Sequence, residues 1–370
     1  MMTVTHTSRN LTTIALLVSI VSCFLFNVTL DGQFKDLVGA WNNTHYAINY
    51  IEFGFVKRGL VGSIYYLTFG EIKQSYLVLT QISFIALFIW ATFIFFRSLG
   101  MQNSRVHLLF LIAPATLMQF ASDFGRFDVL LTCCFLLSLS FLQKNLMIAL
   151  GFAIVGILIH EIYVFTFLPA TFLILAVTKN KGNTFLATTQ YLIKQPSVYF
   201  TLVFIVTVLI FGKFEGGYLN LLTAFEKKGI PLITDPSGSI HVWSRSISDN
   251  IGFTIEHKLR LNLAMAGSVF TVIITIIYFK LLGTQLRKFQ YLLIVACYLP
   301  LFLLGTDYAR WISLAFITLF CTFVMIEKEP VSEVVDWRLK YFSLYGPFGY
   351  SGFPPILIKI KDLAKQLLVG

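Results

Sequence analysis

Charged residues are scarce in this chain of 370 residues. They make up only 12% of it, whereas hydrophobic residues make up 57%, and the mean hydropathy is +0.78. Such values lie far outside the range of soluble domains. All five cysteines fall inside apolar runs, without metal-ligand spacing. The CxxC, HExxH, Walker A and GxSxG motifs are also lacking, so hydride transfer, ATP hydrolysis and zinc proteolysis have no basis in the sequence.

Long apolar runs dominate what remains. We predict an all-α, polytopic membrane protein with about ten spans, since runs of this length and evenness do not suit barrel strands. The spans are placed at about 11–30, 75–96, 106–120, 128–142, 146–159, 162–178, 197–212, 261–283, 289–304 and 312–326. One straight helix over 146–178 would be too long for a bilayer, so two short spans meeting at His160–Glu161 are favoured over a single one.

Basic residues set the orientation. With both termini cytoplasmic, 16 of the 28 Lys and Arg residues and only five of the 18 acidic residues lie inside. The net positive charge is therefore a topology signal, and no basic stripe points to nucleic acid. We divide the chain into a transmembrane domain at 1–326, with an enlarged external loop at 213–260, and a cytoplasmic tail at 327–370 that carries an interfacial amphipathic helix.

Two heptapeptides share one pattern of hydroxyl, Asp, aromatic, small residue, Arg and aromatic. They are SDFGRFD (122–128) and TDYARWI (306–312), and each stands beside an apolar run on the predicted outer face. An ion pair that closes a helix end is one interpretation. A functional site is the other, because ionisable groups near membrane depth are costly and arginine suits phosphate.

Three further outer features carry polar groups. Lys57–Arg58 is either a snorkelling pair or part of a site for a lipid-linked phosphate, with Glu52 as a base or a counter-ion. His160 is the leading general-base candidate, with Glu161 beside it, although a structural role at a helix end stays open. The loop at 213–260 either contacts substrate, for example through Trp243, or caps the helices.

The architecture, together with the stretches EFGFVKRGLVG, IHE and TDYARW, resembles bacterial O-antigen polymerases of the Wzy type. The resemblance implies an inner-membrane enzyme that joins oligosaccharide repeat units carried on undecaprenyl diphosphate, on the periplasmic side. The partners that it implies are this lipid-linked substrate and membrane lipid, with a chain-length regulator and a flippase as candidate partner proteins. It implies no nucleic acid, cofactor or metal.

Carried onto this chain, the resemblance assigns roles to particular residues. Arg58, Arg126 and Arg310 would bind the donor diphosphate, and His160 with Glu161 would take the proton of the acceptor hydroxyl. Asp123 and Asp307 would orient the arginines. Apart from the resemblance, the flat rings of Tyr308 and Trp311, and of Trp243 in the loop at 213–260, are candidates to stack on the glycan.

Two rival functions remain. A multi-spanning lipid-linked glycosyltransferase of the GT-C kind would use a carboxylate of the first outer segment, such as Asp36 or Glu52, as its base. A transporter or flippase of lipid-linked glycans would also suit intramembrane charges. Loss of His160 would be tolerated by the GT-C enzyme but not by the polymerase.

Overall fold

The computed structural model describes residues 38–101, 107–108, 110–111, 113–122, 124–180, 185–230, 238–256, 288–305 and 307–326. Within these residues 78% are helical and there is no strand, which confirms the all-α prediction for this part of the chain. The predicted spans at 11–30 and 261–283 and the tail at 327–370 lie outside the described residues.

The helices follow one another with short connections. The first nine are α1 (Ala40–Ala47), α2 (Tyr50–Phe53), α3 (Gly59–Phe69), α4 (Gln74–Ser98), α5 (Gln119–Ser122), α6 (Asp128–Phe141), α7 (Leu146–Ile159), α8 (Tyr163–Thr166) and α9 (Leu168–Asn180), with a π-helical turn at Pro114–Met118 before α5. The later ones are α10 (Phe185–Ile193), α11 (Pro196–Phe211), α12 (Gly217–Lys227), α13 (His241–Ser244), α14 (Ile247–Glu256), α15 (Lys288–Tyr298), α16 (Leu301–Leu304) and α17 (Tyr308–Ile326).

Several helices end where the apolar runs end. α7 matches its predicted span at 146–159, and α6 and α11 each differ from theirs by one residue. The break predicted near His160–Glu161 is present, because α7 ends at Ile159 and α8 begins at Tyr163. Asn145 caps α7 by accepting a hydrogen bond from the Ile148 amide. Polar interruptions therefore locate the ends of these three helices, whereas the predicted span at 289–304 is divided into α15 and α16.

The core is a helix bundle centred on α6. Every residue of α6 except Phe141 is buried, and this helix packs against α4 and α7. α17 is also buried, from Arg310 to Met325, and it contacts α9 and α15. A helix that is apolar all round belongs inside a bundle or a bilayer. The first turns of α6 and α17 carry Asp128 and Arg310, one charged residue from each heptapeptide.

One described helix, α4, is long and apolar enough to cross a membrane. Its 25 residues correspond to roughly 38 Å at 1.5 Å per residue. Only 28% of its most apolar window is buried inside the protein. α3, α6, α7, α11 and parts of α8–α9 and α17 are apolar but shorter, so ten spans are a finer statement than the described helices support.

The described part of the segment 213–260, which the sequence predicts to be external, packs on the first helices. Trp243 and Ile240 are fully buried against Ala47, Ile48 and Val56, together with Leu221 and Phe225 of α12. The Trp243 Nε1–H donates to the Lys57 carbonyl at 3.0 Å, and the Thr44 hydroxyl donates to Ser239 at 2.5 Å. The described part of this segment is therefore a folded cap over the region between α1 and α3.

Candidate functional site

The two heptapeptides exchange ion-pair partners. Arg310 of the second copy binds both carboxylate oxygens of Asp128, the last residue of the first copy, at 2.7 and 2.6 Å. In return, Arg126 of the first copy lies 3.8 Å from Asp307 of the second copy. Asp307 also accepts from Arg310 across three residues at 2.5 Å. The repeated pattern thus builds one site from segments about 180 residues apart in the sequence.

The two copies do not share a backbone conformation. Phe124–Phe127 is a loop between α5 and α6, and Gly125 in it has a φ of +107°. In the second copy the residues from Tyr308 onward are already helical. The Tyr46 hydroxyl donates to the Gly125 carbonyl at 3.0 Å, which fixes the loop on α1. The likeness between the copies is chemical, and their backbones differ.

Arg58 lies at the centre of a second group. Its Nε and Nη2 donate to the Glu161 carboxylate at distances of 2.5 to 3.1 Å, which is a bidentate pair. Arg58 has a φ of +65°, and it is the one non-glycine residue with positive φ among those described. Backbone strain of this kind persists where surrounding contacts over-determine it, and it clusters at functional sites. Glu52, expected as a base or as a counter-ion of Lys57–Arg58, pairs with Lys228 and Asn49 near the surface.

His45 lies between Arg58 and Trp41 and contacts both residues. An arginine can only donate and a carbonyl can only accept, so the contacts of His45 define its tautomer. Its Nε2 accepts from Arg58 at 3.2 Å and its Nδ1–H donates to the Trp41 carbonyl at 3.2 Å. Burial, and then the positive charge of Arg58, lower the pKa of His45 well below its ordinary value. His45 is therefore neutral in the fold.

His160 is also buried and neutral. Burial and the nearby Arg58 lower its pKa to about 4, against the opposing effect of Glu161. The ordinary histidine pKa of about 6.5 is therefore not retained in this environment. The Nδ1 atom lies 3.3 Å from a Glu161 oxygen and 3.2 Å from the Ile162 amide nitrogen. Depending on the tautomer, it donates to Glu161 or accepts from Ile162.

These groups form one electrostatic cluster. The pKa of Glu161 lies well below its ordinary value despite burial, because Arg58 and then His160 stabilise the carboxylate. Despite burial, the pKa of Asp307 is lowered by Arg310 and then Arg126, and the charge of Arg58 reaches it as well. The cluster thus holds three arginines and three carboxylates. Its formal charge is balanced, and each named carboxylate is ionised at neutral pH.

Arg126 has the most accessible guanidinium of the three arginines. Its side chain is 15% exposed, compared with 10% for Arg58 and 3% for Arg310. The guanidinium stacks on the Trp41 ring at 3.7 Å from the ring centroid. Beside it, a small cleft lined by Gln81, Gln119 and Asp128 has room for about one water molecule. A larger ligand would therefore approach from the exposed side of Arg126.

The remaining predicted residues are placed as follows. Trp243 and Trp311 are 0% and 5% exposed, so neither presents an open ring face to a glycan, and the expectation for these two residues is corrected. Trp243 is covered by the cap, and Trp311 packs edge-to-face on Phe302. Asp36 and Asp123 lie outside the described residues, as does the side chain of Tyr308.

Sequence reasoning gave no role to three residues that the structure brings into the cluster. They are His45, Asp128 and Trp41, and each was visible only as one polar or aromatic residue on the outer face. Asp128 did carry a signal, since it closes the first heptapeptide. Among the described residues, no three or more His, Cys, Asp or Glu side chains are grouped to hold a metal ion.

Comparisons of the chain with protein-family models, curated proteins and solved structures find no match. The fold and site define a helical chain with a charged cluster at the ends of apolar helices. The chemistry of that cluster is therefore the feature that indicates a function.

Proposed function

We propose that this chain is a polytopic membrane glycosyltransferase that polymerises oligosaccharide repeat units carried on undecaprenyl diphosphate, at the periplasmic face of a bacterial inner membrane. The product would be O-antigen or a related surface polysaccharide. The observation that carries the proposal is the convergence of Arg58, Arg126 and Arg310, from distant parts of the chain, on one cluster. Arginines preorganised in this way suit a diphosphate leaving group.

Membrane insertion is supported by the outward faces of two helices. α4 turns most of its apolar window away from the protein, including Trp90 and Phe93. α11 is apolar and exposed over most of its length, through Tyr199, Phe200, Leu202, Val203, Val206, Leu209, Ile210 and Phe211. Soluble proteins rarely expose contiguous apolar surfaces of this kind, so a lipid environment accounts for them.

The proposed reaction is a displacement at the anomeric carbon of the donor. The acceptor hydroxyl oxygen bonds to that carbon, and the bond from the carbon to the diphosphate oxygen breaks with its electron pair. Undecaprenyl diphosphate leaves, stabilised by arginine, and the hydroxyl proton passes to His160. With hydrogen on Nδ1, the ring donates to Glu161 and leaves Nε2 to accept this proton.

The three arginines have unequal parts in this proposal. Arg310 is held by two carboxylates and is nearly inaccessible, which suits a role in joining α6 to α17. Arg58 holds Glu161 and His45 in place. Arg126 is the guanidinium that contacts the donor, because its side chain is the most exposed of the three.

The test is an assay of glycan transfer with the purified full-length protein in nanodiscs containing a lipid-diphosphate-linked oligosaccharide. Arg126→Ala is expected to lower the transfer rate by about 100-fold or more, as losses of preorganised charge stabilisation commonly do. Arg126→Lys should retain part of the activity, because it keeps the charge without the bidentate geometry.

Arg245→Ala is the matched control. Arg245 also stacks on an aromatic ring, Phe253, with 4.7 Å to the ring centroid, but it belongs to the external segment and not to the cluster. The Arg245→Ala variant should transfer glycan at nearly the wild-type rate. Full activity of Arg126→Ala at a normal protein level would show that Arg126 does not bind the donor diphosphate.

A further inference from the structure

The arginines of the cluster already have carboxylate partners. Arg58 binds Glu161, and Arg310 binds Asp128 and Asp307. An incoming phosphate at either guanidinium would have to compete with an ionised carboxylate. Breaking a buried ion pair leaves an uncompensated charge, which is costly. A cation without such a partner would be the easier first contact for an anionic ligand.

Lys57 is such a cation. Among the residues that the structure describes, no carboxylate or hydrogen-bond acceptor lies within bonding distance of its ammonium group. Its neighbour Arg58 turns into the cluster and is buried by it, whereas Lys57 is largely but not fully buried outside it. The snorkelling interpretation of Lys57–Arg58 therefore does not apply to the pair as a unit, since the two side chains have different environments.

The backbone of Lys57 is held rigidly. Its N–H donates to the Gly212 carbonyl at 2.8 Å, and its C=O accepts from the Trp243 indole at 3.0 Å. Gly212 ends α11 and Trp243 belongs to the cap, so Lys57 lies where three elements meet. A Cβ at Gly212 would come within 3.2 Å of the Lys57 backbone nitrogen. This close approach fixes the backbone from which the lysine side chain starts.

We propose that Lys57 is a binding residue for the diphosphate group of the lipid-linked donor, at the junction of α3, α11 and the external cap. This inference rests on the proposed function and extends it, because it names a side chain outside the three arginines. The ammonium first binds the phosphate oxygens and brings the donor to Arg126. Lysine suits this part because it acts as a compact point charge on a flexible stem.

The local electrostatics support the assignment. The pKa of Lys57 is lowered from its ordinary value, mainly by burial, and the like charges of Arg58 and Lys213 add to this against the attraction of Glu161. An anion bound beside Lys57 would relieve both the burial cost and the repulsion. Lys213, in the exposed turn after α11, extends the positive surface outward.

The experiment measures binding of inorganic diphosphate to the full-length protein in uncharged detergent, and then the KM for the lipid-linked donor in nanodiscs. Lys57→Ala is expected to weaken diphosphate binding about tenfold and to raise KM by a similar factor, with kcat less affected. Lys57→Arg should restore both. Lys73→Ala is the control, because Lys73 is an exposed lysine of the same outer segment paired with Glu71.

The outcomes separate this inference from the proposed function. If the wild-type protein transfers no glycan but Lys57→Ala binds diphosphate more weakly, the binding site is supported and the polymerase function is contradicted. Active protein whose KM and diphosphate affinity are unchanged by Lys57→Ala would overturn the inference and leave the function. A loss confined to binding of phosphatidylglycerol nanodiscs would identify a lipid-headgroup contact and would also overturn it.

Discussion

His160 and Asp307 show how far a residue's surroundings change its chemistry. In the sequence, His160 has the ordinary character of a histidine that titrates near neutral pH. In the fold it lies beside Arg58 and is buried, and its pKa falls to about 4. Asp307 is pulled the same way by Arg310 and Arg126, although burial opposes them. Such shifts arise from partners that are distant in sequence, so no local pattern predicts them.

The lowered pKa of His160 makes the stability of the protein depend on pH. The unfolded chain binds a proton at His160 below about pH 6.5, whereas the folded protein does so only near pH 4. The contribution of His160 to the free energy of unfolding is therefore fully present above about pH 6.5, and it is lost as pH falls toward 4. In His160→Gln, the slope of unfolding free energy against pH should be shallower by up to about 1.4 kcal/mol per pH unit. Denaturation across this window checks it, and an unchanged slope would contradict the buried neutral histidine.

At the scale of elements, the apolar runs predicted the ends of several helices but not which helices contact each other. The ends of α6, α7 and α11 follow from polar residues that interrupt apolar stretches. The partner of Arg58 does not, because Glu161 is 103 residues away and belongs to the turn after α7. Similarly, a D-x-x-R spacing predicts the Asp307–Arg310 contact, but it gives no hint that Asp128 binds the same arginine. Pairings between elements depend on the packing of the bundle.

The loop of the first heptapeptide requires a glycine. Gly125 has a φ of +107°, and a Cβ there would lie 2.8 Å from a methyl carbon of Val38. Gly125→Ala should therefore destabilise the protein by roughly 1–2 kcal/mol or more, since the left-handed region is strained for alanine. The measurement is the unfolding free energy in detergent, together with glycan transfer, which depends on the position of Arg126.

Gly151→Ala is the matched control for that substitution. Gly151 lies inside α7, and a Cβ there meets nothing within 4 Å. Alanine should stabilise this helix by about 0.5–1 kcal/mol. Equal effects of the two substitutions would show that the Gly125 loop is not held as described.

At the scale of the whole molecule, the predicted topology places two turns on opposite faces of the membrane. The turn between α6 and α7 carries Lys144 on the predicted inner face, and Lys213 follows α11 on the outer face. Val206 lies in the middle of α11, at a membrane depth between the two lysines in the predicted topology, and its side chain is exposed on the protein surface. Composition predicted a membrane protein, whereas the number of spans depends on residues at 11–30 and 261–283, outside the described part of the chain.

Cysteine labelling tests this arrangement. In a background with the five native cysteines replaced by alanine, Lys213→Cys should react with a charged maleimide added outside intact cells or spheroplasts. Lys144→Cys should react only after the membrane is permeabilised, and Val206→Cys should stay unreactive in lipid. Reaction of Lys144→Cys and Lys213→Cys from the same side would invert part of the topology. Rapid reaction at Val206→Cys would argue against its lipid exposure.

The central claim is that the charged cluster performs glycosyl transfer from a lipid diphosphate. The most direct measurement is the fate of a lipid-diphosphate-linked repeat unit in proteoliposomes containing the purified wild-type protein. We expect glycans of two or more repeats on the lipid, with release of one undecaprenyl diphosphate for each bond formed. Repeat units that cross the bilayer with their length unchanged, and with no diphosphate lipid released, would contradict this expectation and favour a transporter.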